Sequence, residues 1–209
     1  MMANTETGRR LVAALAIAAL GLTLAGCTPS PTVLPDVTVE HEGSSPLDQD
    51  EWVQAVRAAE LAQALAWNSA DFTIEALVES TSPSEIEDQY ESYATNVRRD
   101  RAPFVYSGPA IWAPIAVEPS GDTAFVQACV AFQDRTIDEK SPETSYDLAA
   151  GTIWEWTFQR VESGAIERTG NSETAETCSA ETAEVLAFDP KPTVPEKITE
   201  ADIRKPAGE

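Results

Sequence analysis

Histidine is all but missing from this 209-residue chain, where His41 stands alone. Its scarcity removes the commonest general base, and with it the Ser/His and Cys/His nucleophile arrangements. Positive charge is scarce too, with 14 Lys and Arg against 35 Asp and Glu and a formal net charge of -21. Such a surface repels nucleic acid and anionic headgroups, which excludes a polyanion partner and leaves solubility as the main use of the acidity. Cysteine occurs at only three positions, Cys27, Cys129 and Cys178. Thiols without a nearby histidine lack a tetrahedral ligand set, so neither a metal nor another cofactor is expected. Long apolar runs are absent as well. A membrane-crossing helix needs about 20 apolar residues, and the longest run here, Leu11 to Leu24, has 14.

What that run does have is context. Arg9 and Arg10 precede it, and small residues followed by a cysteine end it, which is the order of a removable export signal. Leu24-Ala25-Gly26-Cys27 resembles the lipobox of bacterial lipoproteins, in which a diacylglycerol is joined to the cysteine thiol and the leader is cut just before it. The resemblance implies a cleaved leader over residues 1–26, a lipid on Cys27, and an extracytoplasmic protein attached to the cell membrane. Each buried methylene contributes roughly 0.8 kcal/mol, and two acyl chains hold stably where one holds only marginally. Removing the leader takes away Glu6, Arg9 and Arg10, so the mature part has 12 basic and 34 acidic residues, 12 − 34 = −22. Lipid rather than charge must then hold it to the membrane. With Cys27 acylated, Cys129 and Cys178 remain in an oxidising compartment, and an even remainder of two reads as a disulfide. It closes a loop of 178 − 129 = 49 residues, worth on the order of 4 kcal/mol in the chain-entropy model.

The proline distribution marks the ends of the folded part. Residues 27–46 carry Pro29, Pro31, Pro35 and Pro46 among Ser, Thr and acids, and are expected to form an extended tether. Residues 189–209 carry Pro190, Pro192, Pro195 and Pro206 among charges, and are expected to be a loose tail. Between them, 47–188 has the size of one domain with one core.

The first half of that domain has helical spacing. Asp48 and Glu51 resemble a capping box ahead of Trp52, Val56, Ala59 and Gln63, which predicts a helix from about Gln49 to Trp67. A short helix is expected between Asn68 and Ser80. Ser82-Pro83-Ser84-Glu85 then opens a third, with Ile86, Tyr90, Tyr93 and Val97 along one stripe. The second half alternates. Ile111, Ala113, Ile115 and Val117 are expected on one face, a turn follows at Pro119-Ser120-Gly121-Asp122, and Thr123 to Gln133 continues as a strand. A long loop is expected from Asp134 to Asp147. Trp154, Trp156 and Phe158 then alternate with polar residues, and a last strand runs from Ala165 towards Cys178. Phe104 to Tyr106 adds an early edge strand. Helices first and strands afterwards predict an α+β domain, with three helices packed on a curved, mostly antiparallel four-stranded sheet.

That order of elements, the Ala128-Cys129-Val130 strand after a Gly-Asp turn, the tryptophan-bearing next strand and the late Cys178 carry a second resemblance. Over Leu47 to Ala187 the chain resembles the small actinobacterial lipoproteins with a nuclear-transport-factor-like (SnoaL-like) cone domain. The likeness implies a sheet curled around a pocket closed by helices. Enzymes of that fold, such as ketosteroid isomerases and limonene epoxide hydrolases, use pocket carboxylates and tyrosines for proton transfer, whereas many other members only bind ligands or partners. Members often carry an acid shortly after the first cysteine. Ala131 and Phe132 stand there in this chain, so no catalytic residue is carried over.

The residues themselves favour binding over catalysis. Aromatic density singles out Tyr90, Tyr93, Trp112, Trp154, Trp156 and Phe158 as candidate pocket lining for a small apolar ligand or an envelope protein. The alternative is a small isomerase or hydrolase with a desolvated carboxylate as base, for which Asp71, Glu75 and Glu155 lie nearest to apolar residues. A two-lobed solute-binding protein would need about twice the chain. The anchor is testable directly: Cys27→Ala should move the protein from the membrane fraction to the soluble one, and unchanged detergent-dependent partitioning would remove the anchor.

Overall fold

The structure is a computed structural model that describes residues 35–99, 101, 104–138 and 143–205. The leader and Cys27 lie outside the described residues. Three helices precede a four-stranded antiparallel sheet, the α+β order that the sequence predicts.

Helix α1 spans Glu51–Ser69, beginning two residues later than Asp48 implied. Asp50 is the N-cap, its carboxylate accepting from the backbone N–H of Trp52 at 2.9 Å. Asp48 instead pairs with Arg57 at 2.6 Å. That arginine also reaches Glu184 at 2.8 Å and lies 5.0 Å from the Trp112 ring centroid. The start of α1 is thereby fixed both to the chain before it and to a segment far along the sequence. Helix α2 (Glu75–Ser80) is short, and α3 (Pro83–Arg98) starts where its sequence says, with Ser82 accepting from the Glu85 N–H.

The main sheet has strand order β3 (Trp112–Ser120), β4 (Thr123–Asp134), β6 (Ser145–Arg160) and β7 (Ile166–Cys178), every neighbour antiparallel. Val126 pairs with Trp156 and Ala128 with Trp154, so small β4 residues lie beside large β6 ones on the face that α1 covers. Trp52, Val53, Val56 and Ala59 of α1 fill that layer. The expected single face of Ile111, Ala113, Ile115 and Val117 does not form. A bulge between Pro114 and Ala116 interrupts the alternation, leaving Ile115 exposed while Trp112 and Val117 share the helix-facing side. Proline cannot donate to a ladder, and β3 is an edge strand, where such an interruption is tolerated.

On the reverse face Cys129 is bonded to Cys178 across 49 residues. Ile111, Ala113, Ala131, Ala180, Ala183 and Val185 pack around it. Gly151 is required beside the bridge, because a Cβ there would lie 2.2 Å from the Val130 carbonyl oxygen.

Both ends of the domain differ from expectation. Residues Asp36–His41 of the expected tether form β1, antiparallel to β8 (Val185–Asp189). All six β1 side chains are exposed, so backbone pairing rather than burial places the strand, and no apolar pattern announces it. Inside the expected loop, β5 (Thr136–Ile137) pairs with β2 (Val105–Tyr106), and β6 already begins at Ser145. The expected loose tail packs against the helices. The Arg204 backbone donates to Ala70 O at 2.9 Å and accepts from the Phe72 N–H at 3.1 Å, while its guanidinium pairs with Asp71 at 2.9 Å. Ala70 caps α1 in the left-handed region at φ 52, so the tail satisfies a carbonyl that the helix end leaves open. Ile203 inserts beside Phe72 and Tyr93 in the core formed by the three helices. Ile203→Ala should therefore cost about 2 kcal/mol or more, read as a lower urea midpoint at unchanged slope; an unaltered midpoint would show that the tail does not support the core.

Candidate functional site

Between α1 and the sheet lies a cavity of about 240 Å³. Glu60, Gln63 and Ala64 of α1 form one wall, and Trp154 and Trp156 of β6 form another. Tyr106, Val130, Gln133, Arg135 and Asn171 complete it from β2, β4, the following turn and β7.

Each wall has a local cause. Trp154 is held by its indole N–H, which donates to Thr152 Oγ1 at 3.2 Å. Asn68 fixes Tyr106 by clasping its backbone, donating to its carbonyl at 2.9 Å and accepting from its N–H at 2.7 Å. Gln133 accepts from the Ile111 N–H at 3.0 Å.

Glu60 is the carboxylate of this wall, and it is buried. Arg168, 0 % exposed on β7, donates to its Oε1 at 2.7 Å. The same guanidinium donates to Gln63 Oε1 at 2.7 Å, and its Nε lies 3.7 Å from Glu85 of α3. Burial pushes the Glu60 carboxyl above its ordinary value, and the charge of Arg168 offsets this only in part. The Trp156 indole N–H, itself buried, also pulls that pKa down although it falls short of a well-formed hydrogen bond. Nearby, burial pushes the Tyr106 phenol up to about 12, with the negative charge of Glu60 adding to the effect. A neutral phenol and a carboxylate fixed by an ion pair thus share one small, aromatic-walled space.

Of the aromatic residues expected as lining, Trp154 and Trp156 face this cavity. Trp112 stands behind Trp156, ring centroids 5.5 Å apart, and Phe158 is fully buried in the layer under α1. Tyr90 and Tyr93 pack around Phe72 among the helices, at 6.0 and 5.6 Å. The carboxylates singled out from sequence lie elsewhere. Asp71 accepts from Thr73 and from Arg204; Glu75 is exposed in the first turn of α2; and Glu155 accepts from Gln127 at 3.3 Å. Sequence reading missed Glu60, Gln63, Tyr106 and Arg135. Glu60 gave no clear signal, because Gln63 one turn later on the same face makes that stretch of α1 read as a polar flank.

No family model matches the chain, and no curated protein matches it. Two solved structures resemble it at 15% identity. The intermembrane space region of the chloroplast protein ARC6 aligns with a TM-score of 0.40, covering 59% of this chain and 93% of that one. A ketosteroid isomerase-like protein from Erwinia carotovora atroseptica SCRI1043 aligns with a TM-score of 0.36, covering 61% and 99%. Likenesses this distant carry no argument about activity. Among the described residues, no helix is long and apolar enough to cross a membrane, and no cluster of three or more His, Cys, Asp or Glu could hold a metal ion. The disulfide fits an oxidising compartment.

The ion pair can be dissected. Glu60→Met should cost about 3 to 5 kcal/mol because it leaves the Arg168 charge buried without its closest partner. Arg168→Met in the same chain should recover much of that loss, and a double-mutant cycle measures the coupling. Strictly additive losses would show that the two side chains act separately.

Proposed function

We propose that the chain is a membrane-anchored extracytoplasmic lipoprotein whose cone-type, nuclear-transport-factor-like domain binds a small, largely apolar ligand without transforming it. The state of Glu60 carries this reading. A carboxylate base must take up and release a proton freely, whereas this one is held through Oε1 at 2.7 Å by a guanidinium that two further groups hold in place, an ion pair that protonation weakens. The tryptophan walls offer flat apolar surface instead, and the volume, about 240 Å³, suits a ligand smaller than a typical drug. The apolar run ending at Leu24-Ala25-Gly26-Cys27 supports the anchor. A durable tether and a preformed cavity suit a protein that must meet its ligand at the membrane surface.

A second reading, an isomerase or hydrolase with Glu60 as base, draws on the raised pKa of that carboxyl and its place in the cavity wall. The ion pair weighs against it, since each proton taken up would weaken the contact that orders the site.

Dry apolar cavities take up small hydrocarbons, so toluene serves as a neutral probe. Toluene titrated into the full chain should shift the indole N–H signals of Trp154 and Trp156. Ala64→Phe, which fills the cavity from the α1 side, should suppress the shift. Indole signals that stay put at saturating toluene would overturn the binding reading.

A further inference from the structure

The two buried arginines of this domain are treated in opposite ways. Arg168 meets two carboxylates. Arg135, only 6% exposed, meets none within ion-pairing distance among the described residues. Its Nε donates to Ser107 Oγ at 3.1 Å and its Nη2 to the Leu186 carbonyl at 2.6 Å, both neutral acceptors. Nη1 is buried and has no partner.

This arrangement is costly, and the surrounding chain is shaped to keep it. A buried cation with an unmet donor loses solvation that nothing on the protein restores. Gly108 makes room for it, since a Cβ there would lie 2.3 Å from Nη2. Burial pulls the Arg135 pKa below the ordinary arginine value, and the charges that oppose this, Glu40 on β1 and Tyr146 on β6, stop short of pairing with it. In a chain with 35 acidic residues, a buried arginine with no ion-pair partner among the described residues is unusual. Arg135 also lines the cavity, together with Gln133 and Thr136.

We propose that the cavity recognises a small monoanion, a carboxylate with a short aromatic or aliphatic body, whose charged end pairs with the Arg135 guanidinium while its body lies against Trp154 and Trp156. This rests on the cavity being a binding site and names the class of ligand that it takes. The carboxylate supplies the ion-pair partner that Arg135 lacks among the described residues. Glu60 does not compete, because Arg168 already holds it. Size follows from the volume, which leaves space for one ring or a short chain beside the charged group.

The test compares acids with their uncharged twins on the full chain, following the indole N–H signals of Trp154 and Trp156. Phenylacetate, indole-3-acetate and hexanoate are each titrated beside the matching amide. At least one acid should bind about 10- to 100-fold more tightly than its amide, the range expected of one charge-assisted hydrogen bond. Arg135→Gln should abolish that preference while leaving amide and toluene binding in place, and Arg135→Lys should restore part of it. If Arg135→Gln fails to fold, the acid–amide comparison on the unaltered chain decides alone. Toluene binding with acids no better than amides would overturn the anion assignment, Nη1 then serving only a resident water, and would leave the cavity reading intact. Failure of toluene, acids and amides alike would overturn both.

Discussion

One guanidinium, sealed from solvent, joins the three layers of this domain. Arg168 leaves β7 and reaches Glu60 and Gln63 on α1 and Glu85 in the first turn of α3. Its backbone carbonyl accepts from the Ser82 N–H, the residue that caps α3, and Thr81 forms a bridge to it. A charge buried this completely tolerates little displacement, because each partner it loses leaves desolvation uncompensated. The positions of α1 and α3 on the sheet are therefore coupled through a single side chain. The cavity inherits its geometry from that coupling: Glu60 and Gln63 form its α1 wall because Arg168 holds them there.

Apolar packing does the rest of the work around this polar centre. Trp156 and Phe158 are among the largest fully buried side chains, and small β4 residues, Ala124 and Ala128, leave room beside them. The spacing of large and small side chains in neighbouring strands allows Trp52, Val53, Val56 and Ala59 of α1 to settle over the sheet, beside the cavity that Trp154 and Trp156 line. Behind the sheet the Cys129–Cys178 bond ties the middle of β4 to the end of β7. The strands that carry the cavity walls are thus fixed from both faces.

Much of this was legible in the chain, and the exceptions have physical reasons. The α3 cap reads directly from Ser82-Pro83-Ser84-Glu85, because capping is a local exchange of hydrogen bonds. The Trp154, Trp156 and Phe158 alternation survives in the structure because one side of β6 is buried and fixes its register. Alternation in β3 misleads, since a bulge beside Pro114 inverts the pattern midway. The tail and β1 were read as loose from their prolines and charges. Both are held chiefly by backbone pairing and by single insertions such as Ile203, which leave no periodic trace. The site was the least visible part. Trp154 and Trp156 were found by their aromatic character, but Glu60 and Arg135 are charged residues inside a protein, and no local pattern separates them from the many charges on its surface.

The pairing of β1 with β8 changes how far this domain can stray. Residues up to Pro46 read as a leash, yet the fold has already captured the chain at Asp36. Were Cys27 acylated as proposed, only 36 − 27 = 9 steps of backbone would join the lipid to the first strand, and the domain could stand no farther from the headgroups than roughly 30 Å, the reach of that segment fully drawn out.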